Sequence, residues 1–179
     1  MKKLNAIDLD NTLIPFDSFR ILVVSHLKQK KYLTPVSVIA LMRKMRMIGG
    51  AEFKQRVLCC LQEEEQYPVL IHEVVRQVMS AIRSEIMEEI DDETDEDTSN
   101  VLITASPKDY VKLVAQRLGW PYMASEIKGK RFIHCHGKKK LELLLKYYPE
   151  DKFIYNFAIS DSLSDLPLLQ TFRKYRLLI

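Results

Sequence analysis

The sequence predicts an α/β fold, in which a parallel-sheet core carries an inserted all-helical cap. Two observations carry this expectation. Apolar runs at residues 4–7, 101–103 and 153–159 each stop at polar or acidic residues and lead into a helical pattern, the alternation that builds a parallel sheet. Between the first and second runs, residues 15–90 keep a helical apolar period and contain no strand-like stretch. The chain is therefore divided into a core of residues 1–14 and 98–179 and a helical cap of residues 15–97.

Composition sets bounds on function. The 179 residues are 47% hydrophobic and 28% charged, ordinary values for a globular chain. A net charge of +3 is too small to argue for a nucleic-acid partner. Cys59, Cys60 and Cys135 form no disulfide framework, so a reducing, cytoplasmic setting is expected. Asp8 and Asp10 interrupt the N-terminus before any secretory signal develops. No run has the length of a membrane span, so no membrane partner is expected.

The first strand, residues 4–7, runs into Asp8-Leu9-Asp10-Asn11-Thr12-Leu13. Side chains alternate along a strand, so Asp8 and Asp10 share a face if the strand continues. Two such carboxylates repel, and a hard divalent cation relieves the repulsion. The same Asp-Asn-Thr sequence also suits an ordinary turn. In the cap, Phe16, Phe19, Val23 and Leu27 mark a first helix. Thr34 and Pro35 open a second, which Gly49-Gly50 should stop. Phe53, Val57, Leu58 and Leu61 mark a third. Ile71, Val74, Val75, Val78, Ile82 and Ile86 lie on one stripe and predict a single fourth helix beginning near Pro68. Six of the seven residues at 91–97 are acidic, which reads as a solvated linker back to the core.

The second strand ends in Thr104-Ala105-Ser106-Pro107. Ser106 is expected to cap the next helix, with Tyr110, Val111, Val114 and Leu118 on its apolar face and Gly119 at its end. Free N–H groups at such a junction favour an oxyanion, although an ordinary strand-cap-helix connection has the same sequence. A further strand is expected near residues 123–127, before a turn at Gly129. His134, Cys135 and His136 are metal-ligand types, but their spacing on a short strand suits a tetrahedral site poorly. Lys138-Lys139-Lys140 opens a helix with Leu141, Leu144, Leu145 and Tyr148 facing inward. The apolar run at 153–159, typical of a central parallel strand, ends in Ser160-Asp161-Ser162-Leu163-Ser164-Asp165-Leu166-Pro167. Residues 175–179 read as a last strand.

These motifs, in this order, resemble the four signatures of the haloacid dehalogenase (HAD) superfamily, in its phosphoserine-phosphatase-like branch. The resemblance implies a three-layer, Rossmann-like core and a Mg²⁺-dependent phosphomonoester hydrolase acting on a small phosphorylated metabolite. By the same resemblance Asp8 is the nucleophile and Asp10 the acid and base. Thr104 and Lys140 complete the catalytic set, and Asn11, Thr104, Ala105 and Lys140 bind phosphate. Lys138 is the alternative to Lys140. Mg²⁺ is expected on Asp8, the backbone carbonyl of Asp10, and Asp161, with Asp165 behind them. Arg20, Arg43, Arg46 and Lys54 are cap cations that could meet a second anionic group. A phosphotransferase with the same intermediate, or a non-catalytic interaction protein on this scaffold, would share these motifs.

Overall fold

The computed structural model describes residues 1–30, 33–129 and 131–178. Its sheet has six strands: β1 (Lys2–Ile7), β2 (Thr98–Pro107), β3 (Tyr122–Lys128), β4 (Arg131–Ile133), β5 (Phe153–Ser160) and β6 (Lys174–Leu177). They lie in the order β4-β3-β2-β1-β5-β6. All neighbours are parallel except β3 and β4. The parallel core is as expected, and β4 adds an antiparallel edge strand to it. Gly129 takes φ +59°, a value that favours glycine, and folds β4 back on β3 as a hairpin. The last strand ends at Leu177, and Ile179 lies outside the described residues.

Alternation along the strands makes the three layers. Leu4 and Ala6 face one way with Val101, Ile103 and Ala158, against α7 (Lys138–Tyr147) and α8 (Leu166–Leu169). Ile7, Leu102, Phe157 and Ile159 face the other way, against α6 (Lys108–Leu118) and the cap. Asn5, on the second face, is fully buried beside a register shift between β1 and β5. It is satisfied there: its amide donates to Asn100 (2.8 Å) and its oxygen accepts from Phe157 N (3.1 Å).

The segment expected to form the cap folds as five helices, α1 (Ser18–Gln29), α2 (Pro35–Lys44), α3 (Gly50–Gln62), α4 (Tyr67–Ser80) and α5 (Ser84–Asp92). Thr34 and Ser37 form a reciprocal capping box before α2. The glycines do not end α2 as expected. That helix stops at Lys44, Arg46 turns the chain with φ +59°, and Gly49 caps the start of α3. The stripe predicted as one fourth helix is broken at 81–83. Arg83 N donates to the Leu13 carbonyl (3.0 Å), and its guanidinium lies 3.4 Å from the Asn11 and Thr12 carbonyls. These bonds to the core replace the helical bond that Arg83 would otherwise make. The acidic run is only partly a linker, because α5 continues through Asp92. Asp95 then holds a turn, accepting from Thr98 Oγ1 at 2.6 Å. No helix among the described residues is long and apolar enough to cross a membrane.

Candidate active site

Strand ends position the site. Asp8 follows β1 directly, and the chain then makes one wide turn over Leu9–Leu13, closed by Ile14 N donating to the Leu9 carbonyl at 3.0 Å. Asn11 sits in the turn at φ +53°, a conformation that asparagine tolerates better than most residues. Beside this turn, β2 delivers Thr104, Ala105 and Ser106, and β5 delivers Ser160 and Asp161. Lys140 enters from the first turn of α7.

Lys140 is the electrostatic hub. Its side chain is buried, with Nζ 2.9 Å from Asp8 Oδ1 and 2.6 Å from Asp165 Oδ2. Burial opposes its charge, but Asp8 and Asp165 outweigh burial and hold its pKa above the ordinary lysine value. Lys138 is exposed, so the structure brings Lys140 to the carboxylates and leaves its alternative in solvent. Ser160 Oγ lies 2.7 Å from Asp165 Oδ2 and 3.3 Å from Asp8 Oδ2. One hydroxyl proton serves one acceptor, and the shorter contact identifies Asp165. The other Asp165 oxygen, Oδ1, is buried with no hydrogen-bond partner.

Asp10 lies in a separate network. Its Oδ1 accepts from Ser18 N at 2.8 Å, and its Oδ2 accepts from Ser106 Oγ. Ser18 Oγ, Ser106 Oγ and Tyr110 OH close a buried hydroxyl ring at 2.8–3.0 Å. Ser106 therefore does not cap α6 as expected, and Tyr110 is not simply apolar packing. Pro107 occupies the cap position without a side-chain bond, and Ser106 is turned toward Asp10. Burial raises the Asp10 pKa to about 6, against the lowering effect of the bonds from Ser106 and Ser18.

That shift has a stability consequence. The folded pKa lies above the unfolded value, so Asp10 is least costly below pH 4 and its cost grows as pH rises through about 6. Two pKa units correspond to about 3 kcal/mol. In metal-free protein, Asp10→Asn is expected to be more stable than wild type at pH 8 and to lose that advantage by pH 4. Denaturant melts at the two pH values check this. A pH-independent difference would mean that Asp10 is not held as an uncompensated buried acid.

Asp161 is half-buried. Its pKa is raised by burial and then by the charge of Asp8, while its N–H donates to Thr12 Oγ1 at 2.9 Å. The Asn11 side chain bonds Asp161 and offsets part of the shift, whereas the Asn11 N–H is taken by the Phe16 carbonyl at 3.3 Å. Asp8 and Asp161 thus present repelling oxygen donors, a set that fits Mg²⁺. Among the described residues, no three His, Cys, Asp or Glu side chains form a metal cage. The expected set needs only two carboxylates, because Asp10 would contribute its carbonyl and its carboxyl group is occupied by Ser18 and Ser106.

Thr104 is buried, and its Oγ1 accepts from Ser106 N at 3.1 Å, leaving the hydroxyl proton for a ligand. The Ala105 carbonyl accepts from Ser125 Oγ (2.9 Å) and Lys54 Nζ (3.0 Å). Of the four cap cations, Lys54 reaches the site, lying 5.6 Å above the Phe19 ring. Burial lowers its pKa, against the pull of Asp10, Asp17 and Asp8. Arg20 and Arg46 are exposed, and Arg43 donates to the Ile48 carbonyl at 3.3 Å. His134 and His136 stack at 5.1 Å, with Phe132 5.6 Å beyond His134. Burial, aided by Lys54, His136 and Lys140, pushes His134 down to about 4, so it is a neutral wall near physiological pH. A cleft of about 500 Å³ lies between α7 and the outer strands, and none of the site carboxylates lines it.

Carboxylates and a buried lysine gathered at the carboxyl ends of parallel strands define a site for binding and transforming an anionic ligand. The chain belongs to the haloacid dehalogenase-like hydrolase family, whose sequence profile matches residues 6–170. A protein of unknown function from Bordetella pertussis Tohama I has a similar structure, with TM-score 0.77 and 16% identity over 98% of this chain and 89% of that one. A phosphoserine phosphatase, solved as an analogue of its phospho-aspartyl intermediate, superposes at TM-score 0.62 and 14% identity, covering 97% of this chain and 85% of its own. CbbY from Rhodobacter sphaeroides, in complex with phosphate, gives 0.53 and 14%, over 100% and 88%. A comparison with curated protein sequences gives no match.

Proposed function

We propose that the protein is a Mg²⁺-dependent phosphomonoester hydrolase that acts through an aspartyl phosphate on a small phosphorylated metabolite. The observation that carries this reading is the contrast between two carboxylates two residues apart. Asp8 is ion-paired with Lys140 at a strand end, while Asp10 is buried among hydroxyl groups with its pKa pushed up to about 6. A charged, oriented carboxylate suits nucleophilic attack, and one that titrates near neutrality suits proton transfer in both directions. The phospho-aspartyl analogue of the similarly folded phosphoserine phosphatase supports a covalent intermediate.

Asp8 forms a bond to phosphorus as the ester oxygen leaves, and Asp10 gives its proton to that oxygen. Asp10 then takes a proton from water as water attacks phosphorus, and the Asp8–phosphorus bond breaks to release phosphate. Lys140 and Thr104 hold the phosphoryl oxygens, with Asn11 and Ala105 at the rim of the turn and strand end, and Asp165 and Ser160 fix Lys140. Mg²⁺, held by Asp8, the Asp10 carbonyl and Asp161, would offset the repulsion between an anionic nucleophile and a phosphate dianion.

Phosphate release from a panel of phosphomonoesters tests the proposal. Hydrolysis is expected with Mg²⁺, to be lost on chelation, and to be suppressed by excess Ca²⁺, whose larger coordination shell could engage both oxygens of Asp8. Full activity in chelator-treated protein would overturn the metal assignment. An absence of release from every ester in the panel would count against hydrolysis.

A further inference from the structure

The cap carries a surface that the proposed chemistry does not use. Helix α2 is apolar on two sides. Val36 and Ile39 face inward and are buried, whereas Val38, Leu41 and Met45 are 45%, 56% and 62% exposed. Their spacing of three and four residues places them in one stripe along the helix. Met47, in the turn that follows, is 63% exposed. An unbroken row of large exposed apolar side chains on a single chain marks an interaction surface rather than ordinary surface scatter.

Charge identifies the occupant. From Ser18 to Ala51 the sequence contains lysines and arginines but no aspartate or glutamate, in a chain with 24 acidic residues. Lys44 and Arg46 lie at the end of the apolar stripe and are exposed. Among the described residues, neither they nor Arg43 pair with a carboxylate. Helix α2 packs on α3 and α1 rather than on the sheet, so this edge belongs to the cap alone. A helix with an apolar stripe, flexible methionines and uncompensated cations is suited to lie in a bilayer interface, with its stripe among the acyl chains and its cations at the phosphate level. We propose that α2 and the following turn dock the protein peripherally on an anionic lipid surface.

Cosedimentation of the full chain with vesicles tests this. Vesicles of phosphatidylcholine containing about a quarter phosphatidylglycerol, a fraction that gives a strongly anionic surface, are compared with phosphatidylcholine alone. Binding to the anionic vesicles is expected, at least about tenfold weaker to the neutral ones and weakened by added salt. Lys44→Glu/Arg46→Glu should reduce it by about a hundredfold or more. Leu41→Asp/Met45→Asp should abolish it while leaving the circular-dichroism melt unchanged, since these side chains are exposed. Three results would each overturn the proposal. One is no binding to anionic vesicles at low salt. Another is binding that survives both double variants. The last is a wild-type protein that ignores vesicles but self-associates until Leu41→Asp is introduced, which would assign the stripe to a second copy of the chain.

Discussion

Asp8→Asn is expected to lower turnover by about 10⁴-fold or more while leaving the fold intact. An amide of nearly the same shape fills the same space at the end of β1. Its oxygen can still accept from Lys140, whose second carboxylate partner, Asp165, remains 2.6 Å away. What is lost is the anion proposed to form the bond to phosphorus. Lys140 and Thr104, proposed to hold the phosphoryl group, would still be in place, so the variant should retain substrate affinity and melt close to wild type. Single-turnover phosphate release and acid-quenched phosphoenzyme analysis check this together. Near wild-type release, or a phosphoenzyme in the variant, would remove Asp8 as the nucleophile. A large fall in melting temperature would show instead that its ion pair with Lys140 dominates its role.

The sheet core was legible because its signals are local. An apolar run of strand length followed by a carboxylate needs no tertiary information, and neither does the left-handed Gly119 that ends α6. Lys140 is preferred to Lys138 only through the family resemblance, and the fold shows the physical difference between them, since a two-residue change turns the Lys138 side chain into solvent, away from the buried carboxylates. The misses share one physical origin. Ser18, Ser106 and Tyr110 meet across about ninety residues of chain, and nothing near Ser106 distinguishes a hydroxyl that caps a helix from one that binds Asp10. The break between α4 and α5 was hidden because the apolar stripe continues through it. Its cause is a backbone bond from Arg83 to the Leu13 carbonyl, which carries no glycine or proline signal. Leu145 was placed inward by helical period yet is 40% exposed. A short helix laid on one face of the sheet buries one narrow stripe, and Leu144 takes it. Lys54 was one of four equivalent cap cations in the sequence, and only the packing of α3 against Phe19 and the Ala105 carbonyl singles it out.

Lys140→Met is expected to damage stability and turnover together, and a second substitution should separate the two. Removing the ammonium group leaves Asp8 and Asp165 facing a cavity with no counter-charge, one 8% and the other 1% exposed. Breaking a buried ion pair from one side typically costs about 3–5 kcal/mol, on the order of 10 °C in Tm for a chain of this size. Lys140→Met/Asp165→Asn removes one of the stranded charges. It should recover a substantial part of the stability, because Ser160 Oγ can still bond the amide oxygen. It should recover no turnover, because neither a thioether nor an amide supplies the positive charge that holds the phosphoryl oxygens. Equal stability of the single and double variants would show that Asp165 is neutral or otherwise compensated in the fold. Recovered turnover in the double variant would show that Lys140 acts only by neutralising Asp165 and makes no contact with the substrate.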